Sequence, residues 1–402
     1  MPLAVELHGT IVGTLEGDAR NFDFIPSAEG IDRFGANSSV LSVAVPLLPR
    51  QRRDHSGRRR NWFGELLPEG DQYGYMLQQG GLRAGDTPGF LARYGRDLAG
   101  ALQLWDLDDP TEPAEPGVRP VTAAQIRGLL ENPMGSPLAN APDAGKSSLN
   151  GVPPKIVLAH TGNGWAQALG GYPSTHILKP QLKDDKATVI FDEEYGSRLA
   201  RRLGLASFET RVEEFDGLAT LVIERYDRVG GRRVHQEDFS QALGASGNQK
   251  CQEMGGVVSL RRVAETLTRH ASEADLVDLA RMVILAVGIG NLYMHTKNIG
   301  LLHPADGPVR LAPAYDVVPQ AHMKNDGNLA LVNRKYRHAD VTGDDLLAEL
   351  TSWGLRRAAA VIGDTLDDLE EAVKDEAPLE GSFPARREQI SGFINNLRGG
   401  TV

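Results

Sequence analysis

The amino-acid sequence predicts an α+β protein with a mixed α/β front part and a helical C-terminal part. Short β-rich runs recur as far as residues 219–223, whereas the later segments have mostly helical patterns. An acidic, proline-rich stretch at residues 106–120 interrupts the front part, and its composition favours an extended spacer that packs poorly. We therefore predict a domain boundary there, and the length of 402 residues fits about two or three domains.

Composition and charge narrow the class of protein. Hydrophobic residues make up 41% of the chain and charged residues 24%, which is enough for a real core. The net charge of −10 argues against non-specific nucleic-acid binding by the whole chain, although a local basic patch could still contact it. The single cysteine, Cys251, excludes an internal disulfide and a multi-cysteine zinc site. It predicts a reducing, cytoplasmic compartment.

The chain carries no evident signal for export or membrane insertion. Its N-terminus lacks a basic stretch followed by an apolar one. The longest apolar run, residues 282–290, is shorter than the roughly 20 residues that cross a bilayer. We therefore expect a soluble protein.

The first domain is predicted to contain strands, a basic run and then helices. Partial alternation of apolar and polar residues indicates strands at residues 3–15, 22–24 and 40–45. The basic run Arg50–Arg60 has few aromatic residues for base stacking, so we expect a solvated loop rather than a nucleic-acid site. A helical stretch follows residues 61–70, and a further helix begins at residues 87–93.

Beyond the spacer, strands and helices alternate before helices take over. Thr122 is the expected N-cap of a short amphipathic helix within residues 121–132. Apolar, β-rich runs predict strands at residues 156–159, 175–178 and 219–223, with a helix at residues 193–203. The predicted helices of the remaining chain are residues 237–243, 260–271, 273–289, 343–353, 356–374 and 384–397.

Three segments carry groups that suit a nucleotide. The loop 145–155 is rich in small residues and ends at Lys155, so its N–H groups could cradle phosphates, although its spacing is not that of a Walker A motif. Lys179 ends an apolar strand and could neutralise a phosphate. Glu224 and Tyr226 follow a buried strand and could offer backbone groups and an aromatic face to a base. Taken singly, each also fits an ordinary turn, strand end or snorkelling lysine.

A fourth segment supplies polar groups for a cation. His295, Asn298 and Asp316 lie within a short span and can hold Mg²⁺ and phosphate oxygens. An HxxN pattern followed about eighteen residues later by an aspartate resembles a kinase catalytic loop and its metal-binding aspartate. The other histidines, such as His8 and His235, lack metal-ligand spacing, and we interpret them as structural.

Eight segments, in order along nearly the whole chain, resemble motifs of the HipA family of serine/threonine kinases, the toxins of bacterial toxin–antitoxin pairs. These segments are NWFGELLPEG, YGRDLAGAL, SLNGVPPK, STHILK, VIERYDR, VHQEDFSQALG, MHTKN and AYDVVP. They are similar to the family's FFxxLLPEG, GRDxxGAL, SxAGAQxK, THIxK, VxERFDR, PQEDxxQALG, NTDxHxKN and YDxxP motifs. The GRDxxGAL segment is expected to be helical. One match alone could be chance, but the ordered set is a specific signal.

Carried over by position, the resemblance implies roles for the residues that meet the phosphates. Ser148 falls on the autophosphorylated, regulatory serine of the phosphate loop. Lys155 and Lys179 fall on lysines that contact ATP, and Gly151 lies in the same loop. The glutamate that pairs with Lys179 is expected at Glu193 or Glu194.

The remaining roles concern the base, the metal and the catalytic loop. Glu224 and Tyr226 fall on the adenine-binding hinge. His295 and Asn298 fall on catalytic-loop positions, with His295 also near the nucleotide. Asn298 and Asp316 fall on the Mg²⁺ ligands.

The chain departs from the family pattern at three places. Tyr293 stands where the family has its catalytic-base aspartate, and a neutral phenol is a poor base and bulkier than a carboxylate. Val152-Pro153-Pro154 replaces the usual AQE and removes two backbone donors. Residues 248–256 lack the family's usual tyrosine. Two interpretations stay open, an impaired kinase and a non-catalytic nucleotide-binding or partner-binding pseudokinase, and Tyr293 could be natural or introduced.

The resemblance also implies an architecture, an activity and partners. The implied fold is HipA-like: a two-lobed protein-kinase-like body with an N-terminal α/β subdomain and an all-helical C-terminal lobe. The implied domains are residues 1–115, residues 116–226 with the phosphate loop and hinge, and residues 227–402 with the catalytic loop. The implied activity is transfer of a phosphoryl group from ATP, with Mg²⁺, to a translation-related protein such as an aminoacyl-tRNA synthetase. The implied partner is a HipB-like helix-turn-helix antitoxin, through which DNA is contacted.

Overall fold

A computed structural model describes residues 2–132, 135–141, 144–149, 151, 153–252, 257–323, 329 and 337–399. Three groups of elements follow one another along the chain, and a cavity of about 450 Å³ lies where they meet. No helix within these residues is both long enough and apolar enough to cross a membrane.

The N-terminal domain packs helices on a four-stranded antiparallel sheet. Its elements are β1 (Leu3–Leu7), β2 (Thr10–Glu16), β3 (Asp23–Pro26), α1 (Ala28–Phe34), α2 (Ser56–Gly64), α3 (Gly70–Gly80), α4 (Thr87–Tyr94) and β4 (Gln103–Asp106). The strand order is β3-β2-β1-β4. Trp62, Phe63, Phe90 and Tyr94 are fully buried, and large apolar side chains of this kind supply most of the driving force for packing such layers.

The second group is a six-stranded antiparallel sheet with two helices. Its elements are β5 (Gly117–Pro120), α5 (Ala123–Glu131), β6 (Ile156–Thr161), β7 (Gly164–Leu169), β8 (His176–Pro180), α6 (Val189–Arg202), β9 (Thr210–Phe215) and β10 (Leu218–Glu224). The strand order is β5-β7-β6-β8-β10-β9. Thr122 caps α5 as expected, because its hydroxyl accepts a hydrogen bond from the Gln125 N–H.

The C-terminal lobe is mainly helical rather than all-helical as expected, because short strands also pair within it. Its elements are β11 (Arg228–Val229), β12 (Arg232–Arg233), β13 (His235–Asp238), α7 (Phe239–Leu243), α8 (Leu260–His270), α9 (Glu273–Ile289), β14 (Gly300–His303), β15 (Arg310–Leu311), α10 (Gly343–Ser352), α11 (Ala358–Asp375) and α12 (Arg386–Arg398). Strands β13, β14 and β15 form a small sheet beside the cavity. Helix α9 is apolar nearly all round and is buried among its neighbours.

The predicted strand at residues 40–45 is wrong, although its apolar side chains are buried. Leu41 and Val45 lie in the core of the N-terminal domain. The backbone N–H of Val43 donates to the Glu237 carboxylate at 2.9 Å, and that of Ala44 donates to the Ser42 hydroxyl at 2.8 Å. Side chains therefore satisfy these donors, and no strand partner is needed.

The predicted helix in the GRDxxGAL segment is also wrong. Helix α4 ends at Tyr94, and β4 begins nine residues later, at Gln103. Between them, the N–H groups of Arg96 and Asp97 both donate to the carbonyl of Lys146, at 3.2 and 3.1 Å. The segment is therefore pinned to the loop that precedes β6.

The acidic spacer and the basic run are both more ordered than the sequence predicts. Glu112 of the spacer is buried, with its carboxylate 2.7 Å from the Lys146 ammonium. Much of the basic run belongs to helix α2 rather than to a solvated loop. Its Arg59 is 3% exposed and pairs with Asp23 at 2.5 Å. Paired charges of this kind can be buried where single charges cannot.

Candidate active site

A cleft of about 450 Å³ lies between the six-stranded sheet and the C-terminal lobe. Strands β8 and β10, helix α6 and the segments after α9 and β15 contribute to its walls. The residues expected at a nucleotide site that line it are Gly151, Lys155, Lys179, Glu224, Tyr226, Tyr293, His295, Asn298 and Asp316. Segments far apart in the chain thus converge on one cavity of the size that binds small molecules.

Lys179 occupies the centre of the polar side of the cleft. It points from β8, and its ammonium lies 2.7 Å from Glu193 Oε1 on helix α6 and 2.7 Å from Asp316 Oδ1. Glu194 turns away and pairs with Arg198 at 2.8 Å, so Glu193 is the glutamate that meets this lysine. Burial alone would lower the pKa of Lys179, but Asp316 and Glu193 outweigh it and raise that pKa above its ordinary value.

Asp316 is held in an unusual backbone conformation. Its φ is +55°, which costs free energy for a residue other than glycine and is common at functional sites. Burial opposes its ionisation, yet Lys179 outweighs that effect and lowers the pKa of Asp316 to about 2. Asp316 is therefore a carboxylate at neutral pH, as a metal ligand must be.

The next residue, Val317, packs closely against helix α6. Its carbonyl lies so near Gly196 that any side chain at position 196 would collide with it. A glycine at this helical position therefore lets the Asp316 segment approach the helix that carries Glu193.

The phosphate loop folds against the N-terminal domain. The hydroxyl of Ser148 donates to the carbonyl of Leu66 at 3.1 Å, and Ser148 is 1% exposed. Gly151 has a φ of +107°, and a side chain there would collide with the Lys155 ammonium. Burial, followed by the charge of Lys179, lowers the pKa of Lys155 to about 8. Val152 lies outside the described residues.

A buried ion-pair network anchors this loop, and the sequence does not reveal it. Asp97 accepts hydrogen bonds from the hydroxyls of Ser147 at 2.9 Å and Ser174 at 2.6 Å. It also pairs with Arg228 at 3.0 Å. The guanidinium of the neighbouring Arg96 lies over the Trp105 ring, 4.7 Å from its centroid. Asp97 therefore joins the N-terminal domain, the phosphate loop and the chain after β10.

The two hinge residues lie where β10 leaves the sheet. Glu224 closes the strand, and its backbone N–H donates to the carbonyl of Glu209 at 2.9 Å. The ring of Tyr226 stacks on Tyr315, with centroids 5.5 Å apart. Tyr226 also hydrogen-bonds the side chain of Gln236, and burial raises its pKa well above the ordinary value, so it remains a neutral phenol. The apolar wall here suits a planar base.

We call residues 290–298 the catalytic segment. It begins directly after α9, at the C-cap Gly290, which has a left-handed φ of +72°. The carbonyl of Tyr293 accepts two hydrogen bonds, from the Asn298 side-chain amide at 3.0 Å and from the backbone N–H of His295 at 2.9 Å. The Tyr293 side chain itself is 52% exposed, with its ring 5.0 Å from that of His295. The backbone of the segment is thus closed on itself, while the half-exposed Tyr293 side chain lines the cleft.

His295 is neutral in this environment. Burial first, and then the nearby charge of Lys250, lower its pKa to about 4. Its Nδ1 atom is buried and has no hydrogen-bond partner among the described residues. A buried, unsatisfied ring nitrogen that lines a cleft is a candidate ligand contact.

Comparison with known proteins agrees with this architecture. The sequence model for the HipA N-terminal domain matches residues 3–105, and the model for the HipA-like C-terminal domain matches residues 147–375. The protein Y4mE of Sinorhizobium fredii is 32% identical over 326 residues, which cover 77% of this chain and 75% of that protein.

Two further comparisons involve Shewanella oneidensis. Its serine/threonine-protein kinase toxin HipA is 25% identical over 392 residues, 88% of each chain. A solved structure of the HipA, HipB and operator DNA complex matches with a TM-score of 0.79 and 22% identity, covering 99% of this chain and 96% of that chain. The structural match confirms the predicted HipA-like, two-lobed α+β fold. Because the sequence model for the HipA-like C-terminal domain matches more than half of this chain, the chain belongs to the HipA family of kinases.

Proposed function

We propose that this chain is an ATP- and Mg²⁺-dependent serine/threonine protein kinase, the toxin of a toxin–antitoxin pair, in which Tyr293 slows phosphoryl transfer. The observation that carries the proposal is the position of Lys179, held between Glu193 and Asp316 at 2.7 Å each. In protein kinases a strand lysine pairs with a helix glutamate, and a nearby aspartate binds the metal ion. The same three residue types meet here on corresponding elements.

The residues of the cleft fit Mg²⁺ and a triphosphate. Asp316 is ionised, and the amide nitrogen of Asn298 is used by the Tyr293 carbonyl, which leaves the amide oxygen as the acceptor that a cation needs. Lys155 and Lys179 supply positive charge for phosphate oxygens. The metal ion, when bound, would neutralise charge on the transferring group.

The proposed impairment follows from the chemistry of the acceptor. During transfer the acceptor oxygen bonds to the γ-phosphorus, the bond to the bridging oxygen breaks, and the hydroxyl proton needs a base. Tyr293 supplies no carboxylate at the position where the family has one. A positioned base commonly contributes about 10²–10⁴-fold, so the parent chain should be slow by about that factor.

Ser148 is proposed as the regulatory phosphosite. Its hydroxyl is buried against Leu66, so it can be modified only after the phosphate loop leaves the N-terminal domain. A phosphoryl group adds about −1.5 to −2 charge and bulk, which the buried position cannot accept. Phosphorylation would therefore hold the loop outside the cleft and switch the enzyme off.

The finer features of the proposal follow the family. The partner would be a HipB-like antitoxin that contacts DNA, and the substrate a translation-related protein, with an aminoacyl-tRNA synthetase as the first candidate. The chain would act in the cytoplasm, in keeping with its single cysteine. Domain limits at residues 1–115, 116–226 and 227–402 are part of the same proposal.

The test compares phosphoryl transfer by the parent chain and by Tyr293→Asp. Both are incubated with ATP and Mg²⁺, and phosphopeptides are mapped by mass spectrometry, with Ser148→Ala in each background. Tyr293→Asp should incorporate phosphate about 10²–10⁴-fold faster than the parent, mainly at Ser148. The matched control is Lys179→Met with Tyr293→Asp, which should be inactive. A Tyr293→Asp variant that binds ATP but transfers no phosphate would favour the pseudokinase interpretation instead.

A further inference from the structure

A cluster of two carboxylates and two lysines joins the N-terminal domain to the catalytic segment. Glu65 and Glu69 follow helix α2, in the NWFGELLPEG segment. The Lys297 ammonium lies 2.6 Å from Glu65 Oε2 and 2.5 Å from Glu69 Oε1. The Lys250 ammonium lies 2.9 Å from Glu69 Oε2. Glu69 therefore uses both of its oxygens to bridge two lysines from separate segments of the C-terminal lobe.

The bridge belongs to the cleft and not only to the domain interface. Glu69, Lys250 and Lys297 line the same cavity as Tyr293 and His295. After burial, the charge of Lys250 is the next contribution that lowers the pKa of His295. The backbone carbonyl of Lys250 also accepts a hydrogen bond from the Thr296 hydroxyl at 2.9 Å, which ties the backbone of this lysine to the catalytic segment.

Glu69 is ionised and can therefore hold both lysines. Burial would raise its pKa, but Lys297 and then Lys250 outweigh burial and lower it to about 2. The Lys297 side chain is 7% exposed, and that of Lys250 is 12% exposed. Ion pairs with so little solvent access keep one geometry, in contrast to pairs on an open surface.

We propose that Glu69 is a positioning residue, supplied by the N-terminal domain, that holds the Lys250 ammonium in the cleft that His295 also lines, so that Lys250 can stabilise negative charge on the transferring phosphoryl group. This inference rests on the proposed kinase function and deepens it. Cations fixed near a transferring phosphoryl group lower the barrier because they need not reorganise during the reaction. The N-terminal domain then completes the active site, and the catalytic lobe alone would lack an oriented Lys250.

Glu65 provides a matched control within the same cluster. It pairs with Lys297 and accepts a hydrogen bond from the Gly247 N–H at 2.9 Å. Loss of either carboxylate removes one ion pair from the interface. The lysine contact that distinguishes the two is Lys250, which Glu69 holds at 2.9 Å.

The kinetic test uses the Tyr293→Asp background. Glu69→Gln should lower kcat for peptide phosphorylation about 10–100-fold while the Kd of ATP changes less than about threefold. Glu65→Gln should lower kcat much less. Lys250→Met should resemble Glu69→Gln, and the double variant should be no slower than either single variant, because Glu69 acts through Lys250. Equal losses in Glu65→Gln and Glu69→Gln, or additive losses in the double variant, would overturn the proposal.

If Tyr293→Asp has no kinase activity, that result contradicts the proposed function. A second measurement then tests the role of Glu69 independently of activity. Reductive methylation of the intact parent chain, followed by peptide mass spectrometry, reports the reactivity of each lysine. Glu69→Gln should raise the methylation rate of Lys250 several-fold, and Glu65→Gln should leave it unchanged. An unchanged Lys250 rate in Glu69→Gln would show that Glu69 does not hold this lysine.

Discussion

Gly196→Ala should displace the metal-binding segment from helix α6. A methyl group on Gly196 would lie 3.0 Å from the carbonyl carbon of Val317 and 3.1 Å from Pro319 Cδ, and closer still to the Val317 oxygen. These are backbone and ring atoms, which cannot rotate away. The segment must therefore move outward, and it carries Asp316 with it.

The magnitude follows from two opposing effects. Overpacking a closely packed site costs about 1–3 kcal/mol, and the helix preference of alanine over glycine returns up to about 1 kcal/mol. We expect a net loss of about 1–2 kcal/mol of unfolding free energy. If the same strain is expressed at Asp316, whose carboxylate lies 2.7 Å from Lys179, the affinity for ATP and Mg²⁺ should fall about tenfold.

The assay pairs urea unfolding with calorimetric titration of ATP in the presence of Mg²⁺. Gly363→Ala is the control, because Gly363 is an exposed glycine in helix α11 with nothing within 4 Å of the added methyl group. That variant should be more stable by up to about 1 kcal/mol and should bind ATP like the parent. If Gly196→Ala is as stable as Gly363→Ala and binds ATP equally well, the described contact between α6 and the Asp316 segment is wrong.

Three further predictions concern buried charges. Arg386→Met should lower the free energy of urea unfolding by about 3–5 kcal/mol, because it leaves the fully buried Asp192 without the guanidinium that binds it at 2.6 Å. A loss below about 1 kcal/mol would contradict this prediction. Asp97→Asn should weaken ATP binding as well as stability, since Asp97 holds the phosphate loop through Ser147, and calorimetry should show a lower affinity. Burial lowers the pKa of His235 to about 3, and burial together with Lys250 lowers that of His295 to about 4. Between these values and the ordinary histidine pKa of about 6.5, the unfolded chain therefore binds more protons than the folded chain. Stability should therefore fall as pH drops from about 6.5 towards 4, and a urea midpoint that stays constant over this range would contradict the assignment of both histidines as neutral.

Local signals were sufficient for many of the helices. Helix α9 is predicted to the residue because Ser272 caps it, Gly290 ends it in a left-handed conformation, and its apolar residues are continuous. The segment at residues 40–45 shows where such signals fail. Its apolar pattern correctly predicts burial, but its backbone donors are taken by Ser42 and by Glu237, which lies far along the chain. No local pattern announces a partner at that distance.

The candidate site likewise has some features that the sequence predicts and others that only the structure shows. The resemblance predicted Lys179 as a lysine that contacts ATP and Asp316 as a Mg²⁺ ligand, and the structure brings the two side chains together. The choice between Glu193 and Glu194 needed the structure, because adjacent residues of a helix point in different directions and the rotation of α6 relative to the sheet is set by packing. Glu69 lies in a segment that the sequence singled out, yet its contacts with the catalytic segment are long-range ion pairs with no local signature.

The most direct test of the proposed nucleotide site is calorimetric titration of the parent chain with ATP, with and without Mg²⁺, beside Asp316→Ala. The parent should bind ATP, and Mg²⁺ should strengthen the binding, because Lys155, Lys179, Asn298 and Asp316 all line the cleft. Asp316→Ala should lose most of the Mg²⁺-dependent gain, since it removes a carboxylate that would bind the metal ion directly. A parent chain that binds no ATP, or an Asp316→Ala variant that keeps the full Mg²⁺ effect, would contradict the account.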